Sequence, residues 1–364
     1  MRTIKDIKDF QYALALFLVA EESLSLISVW SPTYLMLLCK LIETECERIS
    51  KDLMQGSVSL LNSPVPKIIS KFFKPHKKRQ LIFKNFLSEG KMDFSQLWPS
   101  LDLISCWKDG PSAYYIPYIQ KYFPETTIQG KGLLATEGVI SIPFEDFQGH
   151  VPACSSHFLE FQNENNEVYL LHQIRKGESY KVILTTGGGL YRYALNDIIT
   201  VSDIKQGVPL INFESRDQVS DLAGEKLHVV FLTDALNKVS KLLSMRAIFM
   251  IFSRRGEKNS RGYIIYWEPE QNDSSLEQLK KLESNLEEEL LKNYHYAYAR
   301  KIGQLDRLRL FLIEKDGQKN YSEACYKNNM QIGTIKPGII DIHNKCHGIF
   351  RGDFLDNLFQ GKRQ

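Results

Sequence analysis

A hydroxyl beside a carboxylate, a triple glycine ahead of an aspartate, and a lysine behind a glycine are the residues here best suited to hold a phosphorylated ligand. The first set lies in Gly130-Lys131-Gly132-Leu133-Leu134-Ala135-Thr136-Glu137-Gly138. Thr136 can hydrogen-bond a phosphate oxygen, and Glu137 can hold Mg²⁺, a hard cation that takes carboxylate oxygen and keeps several waters. A Thr-Glu pair at a strand end serves equally as a surface turn. The second set is Thr185-Thr186-Gly187-Gly188-Gly189-Leu190-Tyr191-Arg192-Tyr193, running on to Asp197. Its glycines let backbone N–H groups approach an anion, and Asp197 can accept hydrogen bonds from ribose hydroxyls. A flexible hairpin is the alternative, and the Walker pattern is not matched.

The third set runs from Phe213-Glu214-Ser215-Arg216-Asp217 to Gly224-Glu225-Lys226-Leu227, where the texture of the chain changes. A charged pair at a junction suits a hinge, and Lys226 offers a cation to phosphate; a polar linker has the same composition. The basic run at 71–79 reads as a solvated face more readily than as a phosphate site. His343, Cys346 and His347 are close in sequence but lack the fourth ligand of the usual zinc pattern.

The elements that must position these residues are legible in outline. Apolar spacing predicts helix from 7 to 49, with Ser31-Pro32 as the cap and first position of a second helix. Shorter helices broken at Pro64, Pro66 and Pro75 follow to residue 98. The run 101–107 reads as a buried strand closed by a turn at Lys108-Asp109-Gly110, with a helix over 113–123. Strand-like pieces are expected around Thr127 and over 139–142, 158–161, 168–174 and 180–185. Beyond Arg216 come a helix (233–243), strands (246–253 and 262–267), a charged helix (274–296), a strand (307–313) and a helix near 321–328. Helices followed by strands, and then a βαβ-like set, predict a mixed α/β fold of two domains, 1–215 and 216–364, with a hinge near 216–221.

Bulk properties bound the function. At 364 residues the chain exceeds one typical core. The 46 Lys and Arg against 43 Asp and Glu leave a formal charge of +3, which calls for no nucleic acid or anionic membrane as partner. The apolar stretch 10–20 is too short to cross a bilayer, and Asp6 and Asp9 spoil a signal peptide's basic region. Six scattered cysteines favour a reducing cytoplasm over a disulfide scaffold.

In their order, the segments 132–138, 186–197 and 216–227 resemble the successive motifs of the Gretchen Hagen auxin-responsive family of acyl acid amido synthetases. That family is a branch of the adenylate-forming superfamily. The stretches Leu26-Ile27-Ser28-Val29-Trp30-Ser31-Pro32 and Leu103-Ile104-Ser105-Cys106-Trp107-Lys108-Asp109-Gly110 are similar too. The resemblance implies part of a large amino-terminal acyl- and nucleotide-binding domain followed by a small mobile one. It implies an ATP-dependent ligase that joins a small carboxylic acid to an amino acid through an acyl-adenylate. Thr136 and Glu137 would then serve phosphate and Mg²⁺, Tyr191 would frame the nucleotide, and Asp197 would bind ribose. Arg216 would contact ribose or the hinge, with Lys226 near the phosphate. Lys336, in Gly333-Thr334-Ile335-Lys336-Pro337, resembles the late lysine that enters on closure, and reads equally as an exposed loop lysine.

Some positions depart from the family pattern. Tyr191-Arg192-Tyr193-Ala194-Leu195-Asn196-Asp197 has Ala194 for an arginine and Asn196 for a glycine, and Ser215 also replaces a glycine. Asparagine is the least costly substitute where glycine supplies an unusual backbone angle. The family's Ser/Thr/Gly-rich loop that wraps the β- and γ-phosphates does not occur in these 364 residues. The expectation is therefore an amino-terminally truncated form with an exposed sheet edge. It would be active only with a separately encoded amino-terminal fragment, or else be a remnant that binds nucleotide, acyl acid or another protein.

Overall fold

A computed structural model describes residues 4–90, 92–144, 147–216, 219–220, 222–255, 261–270, 275–327, 338–341 and 346–361. Two units are distinguished: Met1–Lys108 with Ser112–Lys131, and Asp109–Pro111 with Gly132–Gln364. In the first, Asp6 caps α1 (Ile7–Ala20) by accepting from the Asp9 N–H, and Tyr12, Ala15, Leu16 and Val19 bury one stripe of that helix. The helical pattern expected to residue 49 is interrupted by β1 (Leu26–Ser28), because β-branched Ile27 and its neighbours find a parallel partner in β2 (Leu103–Cys106). Ser31 and Pro32 do open α2 (Pro32–Thr44), which is followed by α3 (Cys46–Gln55), α4 (Lys67–Phe72), α5 (Lys77–Glu89) and α6 (Phe94–Leu97). The helix expected from 113 begins as a 3₁₀ turn, Gly110–Tyr115, and becomes α7 (Ile116–Tyr122) where a proline pre-sets the first helical turn.

With β3 (Thr127–Gly130), β1 and β2 form a three-stranded parallel sheet. Strand alternation gives it two distinct faces. Ile27, Ile104 and Ile128 pack into the helical core, while Ser28, Ser105 and Gln129 share the opposite row in register. Two carboxylates are buried among the helices and are fully engaged. Asp9 accepts from the N–H groups of Leu61 and Asn62, and Asp52 accepts from Tyr12 Oη, Ser57 Oγ and Ser59. Such groups are tolerated because hydrogen bonds offset their desolvation.

The second unit opens with an antiparallel sheet built from β4 (Ser141–Pro143), β5 (His150–Pro152), β6 (Phe158–Gln162), β7 (Val168–Leu170), β8 (Ser179–Thr185), β9 (Tyr193–Lys205) and β10 (Val208–Arg216). The strand order is β4-β5-β10-β9-β8-β6-β7. The β9–β10 hairpin turns on Gln206 (φ 50°) and Gly207 (φ 80°), the paired positive angles of a tight hairpin turn. Residues 171–173, expected to extend a strand, form a 3₁₀ turn instead.

Next come the short pair β11 (Val219–Ser220) and β12 (Leu227–His228), then α8 (Val229–Leu243), β13 (Ala247–Arg254) and β14 (Tyr263–Pro269). The charged helix expected as one piece is divided into α9 (Leu276–Leu290) and α10 (Tyr294–Lys301), because the Asn293 side chain accepts from the Tyr296 N–H and restarts it. These helices cross to β15 (Arg309–Ile313), parallel to β14, which is the βαβ element the sequence predicts. With α11 (Gly317–Lys327), β16 (Ile340–Asp341), β17 (Gly352–Phe354) and α12 (Leu355–Gly361), a five-stranded sheet of order β16-β13-β14-β15-β17 results. Among the described residues, no helix is long and apolar enough to cross a membrane, and none of the six cysteines is joined in a disulfide.

Candidate functional site

The Thr136-Glu137 pair occupies the two central positions of a tight hairpin. Ala135 and Gly138 exchange both backbone hydrogen bonds, at 3.0 and 3.3 Å, and Leu134 bridges Val139. Thr136 is exposed and Glu137 half-exposed, so both side chains can meet a ligand. Gly138 brings this hairpin against the main sheet: a Cβ added there would lie 2.9 Å from His157 Nε2 and 3.2 Å from Leu184 Cδ2. Leu184 is near the end of β8, where the triple-glycine loop departs.

That loop is closed by Thr186, whose N–H bonds Leu190 O at 2.9 Å, and by Thr185 Oγ1, which accepts from the Arg192 N–H at 2.9 Å. Tyr191 projects from it with 82% of its surface exposed. Arg192 Nε donates to Glu160 Oε2 at 3.0 Å, an exposed ion pair that contributes little to stability.

Past the loop, β9 bulges. Ile183 faces Ala194, but Lys181 faces Ile198, so residues 195–197 oppose a single residue of β8. Asn196, in the bulge, has φ 59°, the left-handed angle that the family's glycine would supply freely. Asp197 follows with 2% of its surface exposed and lies opposite Arg216 in the β9–β10 register. Ser215, also at a family glycine, buries its hydroxyl without a hydrogen-bond partner, a cost of about 1–3 kcal/mol. Because Asn196 is exposed, its backbone strain can be tested without repacking. Asn196→Ala should destabilise the chain by about 1 kcal/mol, while Asn196→Gly should leave the urea midpoint unchanged or raise it.

In the seven-stranded sheet, the Thr136-Glu137 hairpin and the loop bearing Tyr191 thus lie by the end of β8, and Asp197 pairs in register with Arg216 at the end of β10. Lys226 does not arise from that sheet. Lys226 is exposed, with φ 45°, just before β12, and the preceding Glu225 anchors that segment to the carboxy-terminal sheet. Glu225 is fully buried and accepts from the N–H groups of Leu222 (2.8 Å) and Ala223 (2.7 Å) and from Tyr263 Oη. Ser220 Oγ lies 2.9 Å from Tyr263 Oη and donates to it, and Arg254 Nε donates to the same serine oxygen at 3.1 Å. Burial and the neighbouring Glu225 carboxylate push the Tyr263 phenol well above its ordinary range, so it remains a donor. Lys336, Asp217 and His343 lie outside the described residues.

A metal would find Glu137 but no protein cage, since no group of three His, Cys, Asp or Glu side chains is assembled among the described residues. One accessible carboxylate does fit Mg²⁺, which completes its shell with water and phosphate oxygens. Sequence reasoning passed over Lys131, which sits inside the first motif: its Nζ donates to Ser28 Oγ at 2.9 Å and Ser105 Oγ at 3.1 Å. It also passed over the His150–Asp109 pair, in which Nε2 and Oδ2 are 2.6 Å apart. Both connect residues far apart in the chain, so no local pattern announces them.

Family models match three successive parts of the chain: the GH3 family N-terminal domain over residues 2–128, its central domain over 150–216 and its C-terminal domain over 230–341. An indole-3-acetic acid-amido synthetase of Arabidopsis thaliana, GH3.10, is 26% identical over 261 residues, covering 64% of this chain and 43% of its own length. The chain thus spans less than half of that relative. The solved GH3.15 acyl acid amido synthetase superposes with a TM-score of 0.82 at 16% identity, covering 97% of this chain and 67% of its own. A 2-hydroxyisobutyryl-CoA ligase superposes with a TM-score of 0.52 at 10% identity, over 97% of this chain and 60% of that one. The chain accordingly shares the mixed helix-and-sheet fold of these solved structures. Three consecutive domain matches, together covering most of the chain, establish that it belongs to the GH3 family.

Proposed function

We propose that this chain carries the adenylate-binding part of an ATP-dependent ligase that joins a small carboxylic acid to an amino acid. What supports this reading is the placement of the Thr136-Glu137 hairpin and the 187–189 loop by the end of β8, with the Asp197–Arg216 pair on the neighbouring strands β9 and β10. Attack of a carboxylate on the α-phosphate of ATP brings two anions together, so the site must neutralise and orient phosphate before chemistry. Thr136 donates its hydroxyl to a phosphate oxygen. Glu137 would hold Mg²⁺, which supplies charge neutralisation when bound. Asp197 accepts from the ribose hydroxyls, Tyr191 covers the nucleotide, and Arg216 contacts ribose or the pivot. The attack forms the acyl–O–phosphorus bond of the acyl-adenylate and expels pyrophosphate; an amino acid amine then adds to the acyl carbon, AMP leaves and the nitrogen loses a proton, giving the amide.

Residues 1–215 act in this scheme as the acyl- and nucleotide-binding domain, and 216–364 as a mobile domain pivoting near 216–221. Lys226 and Lys336 are its cations, brought toward phosphate on closure. No stretch of the present sequence resembles the loop that grips the β- and γ-phosphates. The proposal assigns that task to a segment outside these residues, in a longer chain or a separately encoded one.

Pyrophosphate exchange with ATP, Mg²⁺ and a panel of aryl and indole acids tests the scheme. It should be run on this chain and on the chain combined with a polypeptide bearing the phosphate loop. Exchange in the combination is expected, and it should vanish in Lys226→Ala. Absence of exchange in both preparations, with the chain folded, would overturn the ligase reading in favour of a binding remnant.

A further inference from the structure

We propose that Lys131, Ser28 and Ser105, flanked by Trp30 and Trp107, form a receptor for the carboxylate of an aromatic acid at the carboxyl ends of β1–β3. The placement follows from the strands. Ser28 and Ser105 are register partners, Gln129 continues their row, and Lys131, two residues on, extends the same face beyond β3. Ligands of open parallel sheets bind beyond the carboxyl ends of the strands.

The chemistry is that of an incomplete ion pair. Lys131 Nζ donates to two neutral hydroxyls and stands 5.3 Å from the centre of the Trp30 ring; among the described residues no carboxylate neutralises it. Desolvation lowers its pKa, with the nearby Cys106 thiol acting the other way, which marks a cation partly withdrawn from water. Each serine oxygen accepts from the ammonium and keeps its own O–H proton free to donate. One N–H and two O–H donors therefore converge around a single positive charge, a match for one carboxylate. A polyphosphate would demand further cations.

The walls specify the rest of the ligand. Trp30 is 40% exposed and packs against Trp107 with ring centroids 5.7 Å apart at 42°. Two indoles so disposed offer an apolar edge and face to an aromatic ring, with the ammonium held at one side. This deepens the ligase reading by naming the group that recognises the acid, and rests on that reading only for the acid's later fate.

Binding is testable without ATP. The full chain would be titrated with phenylacetate, indole-3-acetate and their uncharged amides, followed by saturation-transfer NMR and indole fluorescence; Trp98 and Trp267 are buried and serve as internal reference. The acids should bind at least tenfold more tightly than the matching amides. Lys131→Met should remove that preference, lowering acid affinity at least tenfold and changing amide affinity less than twofold, and Ser105→Ala should cost the acids two- to fivefold. Equal binding of acid and amide by the unaltered chain, no saturable binding of either acid, or an unchanged preference in a folded Lys131→Met variant would overturn the assignment. Displacement of the acids by inorganic phosphate or AMP at lower concentration than by the acids themselves would also overturn it, making the site a phosphate site. Where the variant does not fold, the acid-to-amide ratio of the unaltered chain decides. Acid preference without pyrophosphate exchange would sink the ligase reading alone.

Discussion

Asp197→Asn should bind AMP roughly 100-fold more weakly than the unaltered chain, a loss of about 2.7 kcal/mol. The size follows from the ribose-binding role proposed for Asp197: two hydrogen bonds from ribose hydroxyls to a carboxylate would each contribute about 1.5–3 kcal/mol, and each would be weakened when the acceptor becomes a neutral amide. Asp197 is 2% exposed and is the last residue of the β9 bulge, opposite Arg216, so shape is conserved by the substitution and only charge is lost. AMP is the right probe because it has no β- or γ-phosphate and requires no phosphate-gripping loop. Calorimetric titration that finds the two affinities within threefold of each other would remove Asp197 from the nucleotide site. Glu137→Gln is a useful contrast, since a metal-holding carboxylate should matter for ATP with Mg²⁺ and hardly at all for AMP.

Much of this arrangement was legible in the sequence because it is local. The Ser31-Pro32 helix start, the β2 run and the crossover from β14 to β15 follow from capping, apolar continuity and periodicity. Asn196 signalled its left-handed angle by standing where the related motif has glycine. What was not legible depends on partners distant in the chain. Leu26–Ser28 carries no strand signature of its own and is a strand because Leu103–Ser105 lies beside it. The β9–β10 hairpin, which buries Ile199, Val201 and Ile211, was not among the expected strands. Glu225 looked like part of a polar linker and is a fully buried acceptor, because Tyr263 and two backbone N–H groups converge on it. The Lys131 cluster is the same lesson in a functional setting: its parts come from residues 28, 30, 105 and 131, and only the parallel sheet assembles them.

Gly132→Ala is expected to be the most destabilising single-methyl change near the site, by about 3–5 kcal/mol, and to lower the thermal midpoint by roughly 10 °C. Two causes add. Gly132 has φ 70°, which costs an alanine about 1–2 kcal/mol. The new Cβ would also sit 2.3 Å from Ser141 O and 2.9 Å from Ser141 C, both backbone atoms that cannot swing aside. Ser141 is fixed from several directions, since its Oγ accepts from the Leu133 N–H at 2.9 Å, its own N–H bonds Leu133 O, and β4 pairs with β5. Relief would therefore have to come from the Thr136-Glu137 hairpin, which would shift away from His157 and the end of β8. Gly187→Ala separates this from a general intolerance of substitution in glycine-rich segments. Nothing lies within 4 Å of a Cβ at Gly187 and its φ is not positive, so the midpoint should move by less than about 2 °C. If that variant folds normally and still loses AMP affinity, the open space above the loop is where the nucleotide's backbone contacts are made. A Gly132→Ala protein as stable as the Gly187→Ala one would mean that the hairpin is not held against Ser141 as described, and the placement on which the site rests would fail with it.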